Sequence, residues 1–152
     1  MNATLNWKSG MQFVCHNGSH ATLIDATSEH GGEAQGPTPK ELVLNAMMGC
    51  TAMDVVSMLQ KMRQTIESFS MAIEVEKTKQ HPIHFKTAKL VFTMKGQVER
   101  EKAIKAVTAS LTKYCGVNYI VSKSCAISYE FQLNGETISH GPVTFIEPAE
   151  EA

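Results

Sequence analysis

An α+β fold built on antiparallel sheet is what this sequence predicts, and three observations lead there. Short apolar stretches separated by turn residues crowd the first 26 positions, one long apolar helix follows a proline pair, and strands then alternate with a second, amphipathic helix. The resulting order is strands, helix, strands, helix, strand, the pattern of an α+β fold with antiparallel sheet. The chain of 152 residues is long enough for one domain with a real core, since a domain of this size buries roughly 70% of the surface its unfolded chain exposes. No linker or internal repeat divides it.

Each element follows from local chemistry. Ala3 to Trp7, Gly10 to His16 and His20 to Ala26 alternate in part, with Lys8-Ser9-Gly10 and His16-Asn17-Gly18-Ser19 as turns, and predict a three-stranded meander. A polar, Gly-rich loop from Ser28 to Gly36 leads into Pro37-Thr38-Pro39. There Thr38 is the expected N-cap, Pro39 sits at the first helical position where its missing N–H does no harm, and Glu41 completes a capping box. The helix should run from Pro39 to about Arg63, with apolar residues on nearly every face. A helix of that kind must be covered on all sides, and the simplest further cover in a small protein is a second copy of the chain, so a homodimer is expected.

Beyond it, Phe69 to Lys77 and Phe85 to Lys95 read as strands, and Glu99 to Tyr114 as a helix with Ala103, Ile104, Val107, Leu111 and Tyr114 on one face. Gly116 is placed to cap that helix at its C-terminal end. Val117 to Ser122 is ambiguous, compatible with a short helical turn. Cys125 to Leu133 alternates as a strand, Asn134-Gly135 marks a tight hairpin turn, and the acidic tail from Glu147 is expected to fray.

Composition narrows the functional classes. Fourteen basic residues interleave with 15 acidic ones for a net charge of -1, so nucleic acid is not an expected partner. The N-terminus has neither a basic nor an apolar leader region, which predicts a cytoplasmic protein. Leu42 to Leu59 is apolar enough to suggest a membrane span. Asp54, Asn45 and the lack of basic or aromatic flanks favour a helix buried in protein, and no membrane association is expected. Cys15, His16, His20 and His30 do not form a zinc pattern, because His16 and His20 flank a turn and Cys15 faces the other side of its strand. Neither a metal nor another cofactor is expected.

Four cysteines remain, without metal or disulfide spacing. Cys15 is in register with Met11 and Phe13, and Cys125 with Ile127, Tyr129 and Phe131, so both read as small buried hydrophobes. Cys50 falls about three turns into the long helix and Cys115 at the C-terminal end of the second. Neither is expected at a helix N-terminus, where the helix dipole could activate it. Composition and spacing do not rank these two above buried packing residues.

The segment Gly36-Pro37-Thr38-Pro39-Lys40-Glu41-Leu42, followed by Gly49-Cys50 and later by Lys113-Tyr114-Cys115-Gly116-Val117, resembles the paired signature of the OsmC/Ohr family. There the first motif is similar to T-N-P-E-x-L ahead of a helical cysteine and the second to K-Y-C-P-V. The resemblance covers essentially the whole chain. It implies an OsmC-like fold, an interlocked homodimer with active sites at its interface, and reduction of organic hydroperoxides. Carried onto this chain, it implies that Cys50 is the peroxidatic thiolate, Cys115 the resolving thiol, and a dithiol the reductant.

The sequence also departs from that pattern. The family's N-terminal arginine has no counterpart, since the only arginines are Arg63 and Arg100, and Lys40 stands where a glutamate is expected. Glu41 comes one residue late, on roughly the opposite helical face from Cys50. Asp54, one turn after Cys50, would raise a neighbouring thiol's pKa if ionised, unless Lys40, His30 or Lys113 offsets it. Asp54, Lys40 and Glu41 are therefore candidate accessory residues. Two other readings stay open: an OsmC-type protein that binds a small apolar ligand through its methionine-rich helix without catalysis, and a thiol-disulfide exchange or sensing protein.

Overall fold

Three strands open the chain as the expected meander: β1 (Thr4–Ser9), β2 (Gln12–Asn17) and β3 (His20–Ile24), antiparallel in the order β1-β2-β3. The computed structural model describes residues 1–147, which divide into two units, Met1–Asn45 and the residues from Ala46 onward. The first unit holds the meander and the start of the long helix.

β3 stops two residues earlier than its apolar pattern suggests, because Asp25 turns its carboxylate into the loop that follows. That carboxylate, 1% exposed, accepts the backbone N–H groups of Ala26 (2.7 Å), Glu33 (3.2 Å) and Gln35 (3.1 Å) and the side-chain amide of Gln12 (3.3 Å). A segment whose glycines suggest only a flexible connection is thus wound around one buried anion. Gly36 is required where the loop closes, since a Cβ there would stand 2.5 Å from the Leu23 carbonyl oxygen.

The hydrogen bond from Gln35, followed by those from the other donors, holds the Asp25 carboxyl below the ordinary value of 3.8 despite its burial. A folded pKa below the unfolded one gives stability that is complete above the unfolded value and lost as pH falls through the folded one. The Glu33 and Gln35 amides should therefore exchange with solvent faster as pH drops below about 4, after correction for intrinsic exchange. Asp25→Asn should exchange fast throughout, because its NH2 group faces N–H donors.

The long helix, α1 (Pro39–Lys61), begins at the predicted capping box. The Thr38 N–H donates to Glu41 Oε2 at 2.7 Å, and the Glu41 N–H donates to Thr38 Oγ1 at 3.4 Å. By length and composition α1 could cross a membrane. One side of it is nonetheless inside protein, since Met47, Thr51, Val55 and Leu59 form a fully buried column with i, i+4 spacing. Coverage on all sides is not reached within one chain: Val43 and Met53 are exposed and most of the other apolar positions are half-buried.

The second unit carries a four-stranded sheet of β4 (Thr65–Lys77), β5 (Phe85–Gln97), β6 (Ala126–Leu133) and β7 (Glu136–Pro142), in that order. β5 alternates strictly, and Ala88, Leu90, Phe92 and Met94 on one face are buried with Ile127, Phe131 and Leu133 of β6. The sheet is mixed: the pairs β4–β5 and β6–β7 are antiparallel, as the sequence predicts, and the middle pair is parallel. β5 and β6 run parallel because a helical crossover joins them. The hairpin at Asn134-Gly135 is as predicted, both residues having positive φ (52° and 87°).

The crossover holds the largest departures from expectation. The predicted second helix is regular only over α2 (Arg100–Ala109) and then widens into a π turn, Ser110–Tyr114, closed by the Cys115 N–H on the Ser110 carbonyl at 2.9 Å. The widened turn draws Ser110 and Cys115 inward and leaves Tyr114 exposed, so Tyr114 is not part of the apolar face. Gly116 does not cap a helix. It begins one, α3 (Gly116–Ser122), which resolves the ambiguous stretch. Glu147 accepts from Tyr119 and Lys123, at 2.8 and 2.7 Å; the rest of the acidic tail lies outside the described residues.

Candidate active site

α1 brings Cys50, Thr51 and Asp54 to one end of the crossover, and the π turn and α3 bring Ser110, Cys115 and Asn118 to meet them. All six belong to the second unit. Cys50 is half-buried and Cys115 is 1% exposed, and Cys50 is a near enough neighbour to act on the Cys115 thiol. Cys125 is buried just before β6, as expected, and burial raises its pKa. Cys15, in contrast, is only half-buried, because β2 is covered fully only at Gln12, so the reading of Cys15 as a buried packing residue is corrected.

Three polar residues surround the pair. The Asn118 side-chain amide donates to Thr51 Oγ1 at 2.7 Å and to the Met47 carbonyl at 3.4 Å, and the Thr51 hydroxyl reaches the same carbonyl at 3.2 Å. The backbone N–H of Asn118 donates to Cys115 Sγ at 3.4 Å. Cys115 is therefore the N-cap of α3, which overturns the expectation that neither cysteine stands at a helix N-terminus. The amide of Asn118 is held through its donors alone, since its Oδ1 is buried without a partner among the described residues. The Ser110 hydroxyl donates to Asp54 Oδ2 at 2.8 Å, so Asp54 is anchored to the π turn one helical turn from Cys50.

Burial dominates the Cys115 thiol and pushes it up to about 11, opposed by hydrogen bonds from Thr51 and Asn118 and reinforced by the neighbouring Cys50. Such a thiol is almost wholly protonated near neutral pH. It is suited to acting second, on a partner sulfur already activated, and not to opening a reaction as a free thiolate. Two adjacent thiols of unequal exposure can be oxidised to a disulfide or can act one after the other on a substrate.

The remaining candidates stand elsewhere. Glu41 is occupied by the capping box, where the Thr38 N–H and hydroxyl hold its carboxyl below the usual range. Lys40 is exposed in the first turn of α1, ten residues ahead of Cys50, which is about 15 Å along the helix axis. His30 is hydrogen-bonded to Thr27 at 2.9 Å, and exposed Lys113 lies 5.5 Å from the ring centre of Tyr114. Sequence reasoning missed Thr51, Ser110 and Asn118. The available signal was their polarity in apolar runs: Thr51 directly after Cys50, and Asn118 between Val117 and Tyr119.

A three-stranded meander, a long helix carrying one cysteine, and a second cysteine in the crossover between parallel strands define a protein of the OsmC-like fold. The chain belongs to the OsmC-like protein family, whose family model matches residues 31–130. It is 34% identical to Protein YhfA of Escherichia coli (strain K12) over 135 residues, 88% of this chain and 98% of that protein. Among solved structures it is similar to a hypothetical protein from Aquifex aeolicus VF5, with TM-score 0.74 and 25% identity over 88% of this chain and 96% of the other. It also shares the fold of an organic hydroperoxide resistance protein OsmC from Legionella pneumophila, with TM-score 0.64 and 16% identity over 86% and 95% of the two chains.

Proposed function

We propose that this chain is a cytoplasmic, thiol-dependent peroxidase that reduces organic hydroperoxides with Cys50 and Cys115. The observation that carries the reading is the pairing of a half-buried Cys50 with a buried Cys115 on neighbouring helical segments, while Cys15 and Cys125 lie outside the pair. The Cys50 thiolate attacks the peroxide O–O bond and becomes a sulfenic acid as an alcohol leaves. Cys115 then displaces that hydroxyl as water to give a disulfide. A dithiol supplies two electrons and two protons to restore both thiols, becoming a disulfide itself. Keeping Cys115 protonated until Cys50 is oxidised fits this order. The fold shared with the Legionella hydroperoxide resistance protein agrees with it.

The working form in this reading is a homodimer. α1 leaves Met53 71% exposed, and Ala52, Met53, Val56, Ser57 and Gln60 line an apolar groove of about 320 Å³. A second copy of the chain would cover this face. Met53→Glu is expected to shift sedimentation from dimer toward monomer.

Peptide mapping without reductant, after one equivalent of cumene hydroperoxide or hydrogen peroxide, tests the function. A rapid Cys50 to Cys115 disulfide, formed preferentially with the organic peroxide, is the expected result. One specific departure favours a second reading. With Lys40 at the family's glutamate position and no arginine in the meander, nothing obvious orients a peroxide. A disulfide formed by disulfide donors but never by peroxide would assign the pair to thiol-disulfide exchange instead.

A further inference from the structure

We propose that Asp54 and Asn118 are positioning residues, which hold the Cys115 thiol beside Cys50 by tying the π turn and α3 to α1 at two separate points. The inference rests on the two-cysteine reading and concerns the step in which the disulfide closes.

The ties form one circuit of hydrogen bonds. The Ser110 hydroxyl donates to Asp54 Oδ2 on α1 at 2.8 Å, and the Ser110 carbonyl accepts the Cys115 N–H at 2.9 Å. The Cys115 sulfur accepts the Asn118 N–H at 3.4 Å. The Asn118 side chain then returns to α1, donating to Thr51 Oγ1 at 2.7 Å and to the Met47 carbonyl at 3.4 Å. Cys115 is thus held through its backbone on one side and through its sulfur on the other. Because the Met47 carbonyl can only accept, the Asn118 NH2 group must face α1. Ser110, Thr51 and Asn118 are fully buried, where a hydrogen bond is costly to leave unmade.

The anchors on α1 straddle Cys50. At about 100° per residue, Met47, Thr51 and Asp54 project roughly 40° to 100° to one side of it, Met47 about 4.5 Å before it along the axis and Asp54 about 6 Å after. A turn tied at both levels can neither slide along α1 nor swing away from Cys50. Closing a disulfide is exacting in the separation and direction of the two Cβ atoms, and a misplacement of about 1 Å can slow a step by about a hundredfold. In this role Asp54 acts by accepting the Ser110 hydroxyl, so its charge is dispensable. The Asn118 side chain acts through its donors to α1, while its backbone N–H stays on the sulfur whatever the side chain.

The test follows dithiobis(nitrobenzoate) reacting with the full chain carrying Cys15→Ser, which removes the half-buried thiol outside the pair. The Cys50 thiolate breaks the reagent's sulfur-sulfur bond, forming a mixed disulfide and releasing one thionitrobenzoate at a rate set by reagent concentration. Cys115 gives its proton to solvent and attacks the Cys50 sulfur, forming the Cys50 to Cys115 disulfide and releasing the second at a rate independent of concentration. Asp54→Ala and Asn118→Leu should each slow the second release by about tenfold without slowing the first. Asp54→Asn, whose carbonyl still accepts the Ser110 hydroxyl, should close like the unsubstituted pair. Ser110→Ala and Asn118→Ala open the same two links if those variants do not fold. Second release at an unchanged rate overturns the proposal, as does Asp54→Asn as slow as Asp54→Ala. A third equivalent, from buried Cys125, would show general loosening in place of lost positioning and overturn it too. If peroxide forms no disulfide while these variants behave as expected, the peroxidase reading fails and the positioning roles stand. No second release from the unsubstituted pair would remove both.

Discussion

Cys50→Ser is expected to abolish consumption of cumene hydroperoxide entirely, whereas Cys115→Ser should leave one stoichiometric turnover. The difference follows from the unequal placement of the two thiols. Only Cys50 is exposed enough to meet a substrate, and Cys115 is 1% exposed with its thiol held up to about 11. Under the proposed mechanism, the sulfenic acid on Cys50 has no resolving partner once Cys115 is gone. It should be trapped by dimedone as one adduct per chain and should pass to the irreversible sulfinic form under excess peroxide. Mass spectrometry of the two variants after graded peroxide checks this. Equal dimedone labelling of wild type and Cys115→Ser would show that Cys115 does not resolve Cys50.

Phe92→Ala should be the most damaging substitution in the four-stranded sheet. Phe92 is fully buried on interior strand β5, stacked on Phe69 at 6.4 Å and meeting Tyr129 and Phe131 edge-on at 6.4 and 6.1 Å. Truncating such a ring costs about 3–5 kcal/mol through lost transfer energy and the cavity left behind. For a chain of this length that is a fall of roughly 10 °C in the unfolding midpoint. Calorimetry of the variant beside Phe92→Leu, which refills much of the volume, checks it. A variant that melts within a degree or two of wild type would mean the three aromatic neighbours collapse into the space.

Much of the fold was legible because it rests on short-range chemistry. The Thr38–Glu41 capping box, the strict alternation of β5 and the Asn134-Gly135 turn are each set by residues within a few positions of one another. The π turn at Ser110–Tyr114 was not legible, because Glu99 to Tyr114 carries an ordinary amphipathic pattern. It is the inward placement of Ser110, bonded to Asp54 on α1, and of Cys115, which accepts from Asn118 on α3, that is satisfied by one wider turn. The Asp25 clasp escaped for a similar reason: a lone acid at a strand end does not announce that donors up to 13 residues away will converge on it.

The sequence by itself determined the α+β class, the capped apolar helix, and, through the paired motifs around Cys50 and Cys115, the family and the two thiols worth weighing. Only the tertiary structure decided that these thiols are neighbours, that Cys115 caps α3, that β5 and β6 run parallel, and that Thr51, Ser110 and Asn118 supply the polar surroundings. The physical reason is one of range. Caps, turns and periodicity act over a few residues and leave a local pattern. A hydrogen bond between Thr51 and Asn118, or between Asp54 and Ser110, joins positions far apart in the chain, and it is fixed only when α1 packs against the crossover.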